Sequence, residues 1–233
     1  MKNIIDEKPT DKLHGRTLFN TKFVGASDIK DKTILDIGCG YGWFELFAIN
    51  NGAKKITAME ITAQDLVTAK KYIKNNKIEF RIGSAIKLPF KDKTFDTLVA
   101  WEVIEHIPKT NEPQLFKEAF RVLKDGGNLY LSTPNHSFFS NFFDPAWWLI
   151  GHRHYLPKNL SKIAEKNGFI VKKTVIKGGF WEVLDINNLY ICKWFFRSKP
   201  VFKSFINPKQ DYSYKNCNGF TNIFMQLEKC KKK

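Results

Sequence analysis

Two observations in the sequence predict an α/β fold built on a mostly parallel sheet. Short apolar runs alternate along the chain with segments of helical period, an order that favours crossover connections between parallel strands. The first apolar run, 33–37, leads directly into glycines at alternate positions, Gly38, Gly40 and Gly42. Glycines at the carboxyl end of a first strand let the backbone approach a ligand closely, as in doubly wound sheets that bind nucleotide cofactors.

The elements follow in order from this glycine turn. Each helix is predicted from apolar residues spaced three and four apart, and each strand from a short apolar or alternating run. The first unit has a helix over 43–50, closed by Asn51-Gly52, and a strand over 55–59 that ends in Glu60. The later elements are a helix over 63–75, strands over 78–82 and 95–101, a helix over 113–123, a strand over 128–132, a helix over 157–167, and strands over 169–176 and within 219–228.

The spacing within the glycine turn bears on the cofactor. NAD, FAD and S-adenosylmethionine all bind at such turns, and dinucleotide sites use G-x-G-x-x-G. This chain has G-x-G-x-G instead, and Asp36 lies near the end of the preceding strand. A carboxylate beside the turn repels a pyrophosphate but suits a ligand that carries an ammonium and a sulfonium. The spacing therefore favours S-adenosylmethionine without excluding the dinucleotides.

Length and composition indicate one globular domain. The chain has 233 residues, 43% hydrophobic and 26% charged, which is enough to bury a substantial core. No apolar run approaches the roughly 18 residues of a membrane span, and the polar segment 1–15 lacks the apolar stretch of a signal peptide. The cysteines form no C-x-x-C pair. We therefore expect a soluble, cytoplasmic protein with reduced thiols.

The net charge of +15 has two interpretations. It suggests attraction to nucleic acid or to an anionic membrane. However, only five of the 38 basic residues are arginine, the residue that planar phosphate recognition favours, and the lysines are spread along the chain. Solvated surface lysines are therefore the simpler explanation.

Five motifs together resemble those of the class I S-adenosylmethionine-dependent methyltransferases, over roughly residues 30–176 and the last strand. The resemblance implies a seven-stranded, doubly wound, Rossmann-like methyltransferase sheet whose last strand is antiparallel, beside the sixth. The motifs are Ile34 to Gly42, Glu60, Leu88-Pro89-Phe90 before Phe95-Asp96, Trp101-Glu102-Val103-Ile104-Glu105-His106-Ile107, and Leu123-Lys124-Asp125-Gly126-Gly127.

The resemblance also implies a cofactor site. Gly38 and Gly40 would approach the methionyl part of S-adenosylmethionine, and Asp36 would help hold its ammonium. Glu60 would accept both ribose hydroxyls, because one carboxylate matches two vicinal donors. Many relatives carry an acidic residue for the adenine amino group where this chain has Ser84, a weaker acceptor or only a turn hydroxyl. The predicted cofactor residues are Asp36, Gly38, Cys39, Gly40, Glu60, Ile61, Ser84, Ala85 and Trp101.

The segment after the fourth strand suggests a base or a metal. If it forms a helical turn, Glu102, Glu105 and His106 share a face. Similar E-x-x-E-H elements occur in quinone-biosynthesis O-methyltransferases and small-RNA 2′-O-methyltransferases, some of which use a metal, so a divalent cation held by these residues and His154 is an alternative. The preferred interpretation is metal-free: Glu102 borders the pocket, Glu105 caps a helix or pairs with a lysine, and His106 takes a proton from the acceptor.

Aromatic residues concentrate in two tracts, 135–156 and 177–218, which we predict to be insertions on the substrate side of the cofactor core, 30–134. Segment 1–29 is predicted to be an N-terminal helical cap. The tracts suit a lid packed on the sheet, an anchor for a membrane-surface lipid substrate, or a surface that stacks RNA bases.

These observations lead to three functional hypotheses. The first is O-methylation of a lipophilic small molecule or a membrane-linked glycan or lipid precursor, with peripheral contact to an anionic membrane. The second is an RNA methyltransferase that uses the lysine-rich surface. The third is a non-catalytic module that binds S-adenosylmethionine.

Overall fold

A computed structural model describes residues 7–230, and among these residues seven strands form one sheet. Their order across the sheet is β3-β2-β1-β4-β5-β7-β6. Strands β1 to β5 pair in parallel, whereas β7 pairs antiparallel with both β5 and β6. The strands are β1 Thr33–Ile37, β2 Lys55–Glu60, β3 Ile78–Ile82, β4 Phe95–Trp101, β5 Leu123–Pro134, β6 Phe169–Lys177 and β7 Asn222–Lys229.

Helices cover both faces of the sheet and extend past its carboxyl edge. Prolines occupy the first turns of three of them, where a missing N–H costs nothing. The helices are α1 Gly15–Phe23, α2 Trp43–Asn50, α3 Val67–Tyr72, α4 Glu112–Val122, α5 Phe138–Phe143, α6 Pro145–Ile150, α7 Pro157–Lys166, α8 Phe180–Ile191, which continues into a π-helical turn over Cys192–Phe196, and α9 Lys203–Asn216.

Alternation along the strands separates two hydrophobic clusters. Leu35 and Ile37 of β1 face one side, where Phe116 of α4 packs. Ile34 faces the other side, where Phe44 of α2 packs. Each sheet face therefore has its own core, as expected for helices on both sides of a parallel sheet.

The predicted fold class is confirmed, including the antiparallel last strand. Two predicted elements differ most from the observed ones, and the last strand begins at Asn222 rather than at Gly219. The helix expected over 63–75 is limited to α3, because the Thr62 hydroxyl and Asp65 close a separate turn before it. Strand β5 begins at Leu123 rather than at 128, since the register jumps from Phe95–Leu123 to Thr97–Asn128 and leaves a bulge between them.

The aromatic tracts carry the helices that lie beyond the carboxyl edge of the sheet. Tract 135–156 forms α5 and α6, and tract 177–218 forms α8, the π-helical turn and α9. Helix α1, from the predicted cap, packs on α9; residues 1–6 of that cap lie outside the described residues. Nowhere within 7–230 does a helix have the length and apolar character needed to cross a bilayer.

Candidate functional site

A cavity of about 590 Å³, here called the strand-end cavity, lies at the carboxyl ends of β1, β2 and β4. Strand ends of a doubly wound sheet are where ligands bind in this architecture. Eight predicted site residues line it: Gly38, Gly40, Glu60, Ile61, Ser84, Ala85, Glu102 and His106.

The glycine turn gives the cavity its floor. Gly38 and Gly40 have φ values of +76° and +54°, in the left-handed region that favours glycine. A Cβ on Gly38 would meet Val103 at 2.6 Å, whereas a Cβ on Gly40 would meet no atom within 4 Å. The space above Gly40 is therefore open to a ligand.

Glu60 lies at the end of β2 and is already oriented towards the turn. Its Oε1 accepts a hydrogen bond from the Gly40 amide at 2.7 Å. Partial burial raises the pKa of Glu60 above its usual value. The second carboxylate oxygen leaves the residue able to accept from a ligand as well.

Ile61 and Ser84 lie on either side of the strand-end cavity. The Ile61 side chain is 61% exposed, which leaves a flat apolar surface for a planar group. The Ser84 hydroxyl accepts a long hydrogen bond, 3.4 Å, from the Ile86 amide. Ser84 therefore has the geometry of a turn hydroxyl, while it still borders the cavity.

Three predicted cofactor residues do not line the cavity. Asp36 is buried behind the glycine turn at 1% exposure. The Cys39 side chain packs in the core with Phe44, and burial raises the pKa of its thiol. Trp101 packs edge-on against Phe44, and its buried indole N–H has no hydrogen-bond partner among residues 7–230.

Asp36 is one of a pair of buried carboxyl groups. Glu45 of α2 is fully buried beside it, and neither Asp36 Oδ1 nor either Glu45 oxygen has a hydrogen-bond partner in the described part of the chain. Burial and the neighbouring Glu45 raise the pKa of Asp36 well above its usual value. Burial likewise raises the pKa of Glu45 to about 7. The pair lies behind the glycine turn, and the carboxylates that line the strand-end cavity itself are Glu60, Asp65 and Glu102.

This pair leads to a prediction on stability. Between the usual glutamate pKa of 4.5 and about 7, folded Glu45 keeps a proton that the unfolded chain has released, so the free energy of unfolding should fall as pH rises through that window. In Glu45→Gln, the fall in the free energy of unfolding over this pH window should be about 2 kcal/mol smaller than in wild type. Urea unfolding at pH 5 and pH 8 measures it. Glu165→Gln, at an exposed position, should leave the pH dependence unchanged; equal slopes in wild type and Glu45→Gln would contradict the prediction.

Glu102 does not share a helical face with Glu105 and His106, and that expectation was wrong. Glu102 has a φ of +55°, so the chain turns there and only a 3-10 turn, Ile104–His106, follows. The Glu102 carboxylate accepts hydrogen bonds from the Ser132 hydroxyl at 2.5 Å and from Arg16 Nη1 at 2.7 Å. Glu102 is thus held by a strand and by α1.

Glu105 points into the core instead of capping a helix or pairing with a lysine. It is 4% exposed, and its Oε2 accepts from the Thr133 hydroxyl at 2.9 Å. Burial and the nearby Glu102 raise the pKa of Glu105 well above its usual value. Its role is therefore to connect the turn to β5.

His106 is the first member of a chain of polar contacts. Its Nε2 lies 3.2 Å from His152 Nε2, and His152 Nδ1 lies 3.6 Å from Asp144 Oδ2. Partial burial, His152 and Arg153 lower the pKa of His106 below its usual value. At 3.6 Å from Asp144, His152 Nδ1 has no hydrogen-bond partner within residues 7–230, and which of the two Nε2 atoms donates across the His106–His152 contact depends on the tautomer.

The metal candidates fall into two groups that share His152. Ligand atoms lie within 4.8 Å of one another in Glu105, His106 and His152, and again in Asp144, His152 and His154. Glu102 belongs to neither group, and His154 is already hydrogen-bonded to Asn141 and Asp144. The four residues predicted as metal ligands are therefore not brought together.

A second cavity of about 400 Å³, here called the lid cavity, lies under the aromatic tracts. Its wall is mostly apolar, and α8 contributes Val183, Ile186 and Leu189 to it. Glu102 lines this cavity and the strand-end cavity, and His152 lines its inner end. The two cavities therefore meet at Glu102 and at the His106–His152 pair.

Sequence reasoning missed three residues of this region. Arg16 lies far along the chain from Glu102, which it contacts, and Asp144 lies within a tract noted mainly for its aromatic residues. Glu45 follows the glycine turn closely, but its burial beside Asp36 depends on how α2 packs. One signal existed for Arg16, since arginine is scarce in this lysine-rich chain.

Comparisons with known sequences agree with this geometry. A family model described as a methyltransferase domain matches residues 35–131. A protein of Mycolicibacterium smegmatis named as a probable S-adenosylmethionine-dependent methyltransferase is 28% identical over 144 residues, which cover 62% of this chain and 54% of the relative. A ubiquinone biosynthesis O-methyltransferase of Xanthomonas oryzae pv. oryzae is 27% identical over 133 residues, which cover 55% of this chain and 54% of the relative. The chain thus spans about half the length of these curated relatives.

A solved structure has the same fold. The phosphoethanolamine N-methyltransferase 2 of Haemonchus contortus, in complex with phosphomonomethylethanolamine and S-adenosylhomocysteine, has a TM-score of 0.63 and 20% sequence identity. The match covers 87% of this chain and 49% of that chain. At this identity the likeness is one of fold.

Proposed function

Because this chain belongs to the class I S-adenosylmethionine-dependent methyltransferases, we propose that it transfers a methyl group to an oxygen of a lipophilic small molecule or of a membrane-linked lipid or glycan precursor. The observation that carries this proposal is the meeting of an acidic strand-end cavity and an apolar lid cavity at Glu102. The partner that this substrate class implies is an anionic membrane surface.

The strand-end cavity fits S-adenosylmethionine. The open space above Gly40 would take the methionyl part, and Glu60, Asp65 and Glu102 line the cavity with carboxylates that suit a sulfonium and an ammonium. Glu60 would accept from the ribose, and Ile61 would pack on the adenine. Ser84 and Ala85 would contact the adenine edge.

Methyl transfer depends more on the position of the acceptor than on its activation by the protein. S-adenosylmethionine supplies an electrophilic methyl group on its sulfonium sulfur. The protein must hold the acceptor hydroxyl in line, which the apolar walls of the lid cavity support. His106, with its own proton on Nε2, would accept the hydroxyl proton at Nδ1 as the oxygen–carbon bond forms and the sulfur–carbon bond breaks, leaving S-adenosylhomocysteine. We propose that Glu102, held by its contacts to Arg16 and Ser132, positions the boundary between the two cavities.

This role for His106 gives a pH prediction. The base must be neutral, so methyl transfer should rise with pH through the lowered pKa of His106 and then level. His106→Ala should reduce turnover by about 100-fold. His152→Asn removes one cause that lowers the pKa of His106, so that pKa should rise, as followed by the ring-proton NMR shift. His136→Asn, at an exposed position, should leave it unchanged; an unaltered His106 titration in His152→Asn would refute the coupling.

The proposal is tested in two steps. Calorimetry with S-adenosylmethionine should detect binding by the purified chain, and its absence would end the proposal. Labelled methyl transfer into a cell extract, separated into lipid, RNA, glycan and protein fractions with and without chelator, should label the lipid fraction or small molecules in both conditions. Label in RNA would favour RNA methylation, loss with chelator would favour a metal, and binding without transfer would favour a non-catalytic module.

A further inference from the structure

Helices α5, α6, α8 and α9, which carry the aromatic tracts, are here called the lid. Aromatic rings form a continuous exposed cluster on its outer surface. Neighbouring ring centroids are 5.0 to 6.4 Å apart, so the cluster is one surface rather than scattered side chains. Phe138 is 77% exposed and Phe180 is 61% exposed. Such a contiguous apolar surface marks an interaction site. The rings belong to Phe138, Phe139, Phe142, Phe143, Phe180 and Phe220.

Helix α8 extends this surface along the lid. Phe180, Leu184 and Ile191 are exposed and are spaced four and seven residues apart, which aligns them on one side of the helix. The π-helical turn then presents Phe195 and Phe196, 80% and 70% exposed. We call this surface the aromatic face: Phe138, Phe142, Phe180, Leu184, Phe195 and Phe196.

Cations flank the aromatic face, while nearby carboxylates are withdrawn from it. Arg197 and Lys199 are exposed directly after the π-helical turn. The Lys209 ammonium lies over the rings of Trp181 and Phe205, at 5.0 and 4.8 Å from their centroids.

The acidic side chains of the same tract are engaged inside the lid. Glu182 is buried at 2% exposure, beside Arg16. Asp185 pairs with Lys203 at 2.5 Å. The surface is therefore apolar and positively charged, on a chain whose net charge is already +15.

We propose that the aromatic face inserts into the interfacial region of an anionic phospholipid bilayer. Aromatic side chains flanked by lysine and arginine bind such interfaces, where the rings enter the acyl boundary and the cations contact lipid phosphates. A second copy of this chain would bring the same positive charge to the contact and be repelled. Because α8 lines the lid cavity with its other residues, a bilayer-resident acceptor has a short path from the lipid to that cavity.

Vesicle co-sedimentation of the full chain tests the proposal without any methyl-transfer step, so its outcome is separate from that of the proposed function. The probes are vesicles of phosphatidylcholine alone and vesicles with about one third phosphatidylglycerol. We expect binding to the anionic vesicles that weakens with salt. Phe195→Ser/Phe196→Ser should weaken it by about tenfold or more, and Arg197→Glu/Lys199→Glu should weaken it comparably.

Matched variants control for general effects of polarity and charge. Ile170→Ser changes an exposed apolar residue on β6, and Lys162→Glu/Lys166→Glu changes two exposed cations on α7; both should bind like wild type. Circular dichroism confirms that each variant is folded. The proposal is overturned by absence of vesicle binding, by equal losses in the control variants, by RNA binding in place of vesicle binding, or by a solution dimer that Phe195→Ser/Phe196→Ser dissociates.

Discussion

Glu60→Ala should weaken S-adenosylmethionine binding by about 10- to 100-fold, because a charged acceptor for two ribose hydroxyls is lost. Glu60 ends β2 at the strand-end cavity, and Oε1 already accepts from the Gly40 amide. The measurement is the dissociation constant from calorimetry at pH 8, on the alkaline side because partial burial raises the pKa of Glu60.

Two further variants separate ribose binding from turn geometry. Glu60→Gln keeps an acceptor for the Gly40 amide but loses the charge and one acceptor oxygen, so its affinity should lie between those of wild type and Glu60→Ala. Glu79→Ala removes a carboxylate from the adjacent β3, where it pairs with Lys55, and should bind like wild type. Unchanged affinity in Glu60→Ala would refute the ribose role.

Arg16→Met should lower the free energy of unfolding by about 2 to 3 kcal/mol, because two carboxylates lose their shared cation inside the structure. Arg16 Nη1 lies 2.7 Å from Glu102, and Nε lies 3.5 Å from Glu182. Burial raises the pKa of Glu182 even with Arg16 present. Without the guanidinium, protonation relieves the repulsion, so the loss measured in urea should be larger at pH 8 than at pH 5.

The matched experiment uses a second substitution. Glu182→Gln in the Arg16→Met background should recover part of the lost stability, since it removes one unpaired carboxylate. Arg81→Met breaks an exposed pair with Glu79 and should cost at most about 0.5 kcal/mol. Equal losses in Arg16→Met and Arg81→Met would show that the Arg16 contacts do not stabilise the lid.

Local sequence patterns predicted most of the sheet, because each strand is a short apolar run bounded by turn residues. Strands β3 and β4 have the predicted bounds, as does α2, whose end coincides with Asn51-Gly52. The errors arose where a side chain competes with the backbone, as at Thr62, or where a strand continues through a bulge, as before Asn128. The spacing of apolar residues along the sequence detects neither the turn at Thr62 nor the bulge before Asn128.

The candidate site was predictable where it is local to a strand end. Gly38 and Gly40 follow β1, Glu60 ends β2 and Ile61 follows it, and all four line the strand-end cavity. Helical spacing misled the interpretation of the segment after β4, because a positive φ at Glu102 redirects the chain and no side-chain pattern predicts it. Partners from distant elements, such as His152, require the fold itself.

The position of Glu102 between the two cavities also bears on the order in which donor and acceptor bind. Among the described residues that line either cavity, Glu102 is the one shared by both. If, as proposed, the donor binds in the strand-end cavity and the acceptor in the lid cavity, each can bind whether or not the other is present. Initial-rate plots should intersect, as for a ternary complex with random addition, and S-adenosylhomocysteine should compete with the donor but not with the acceptor.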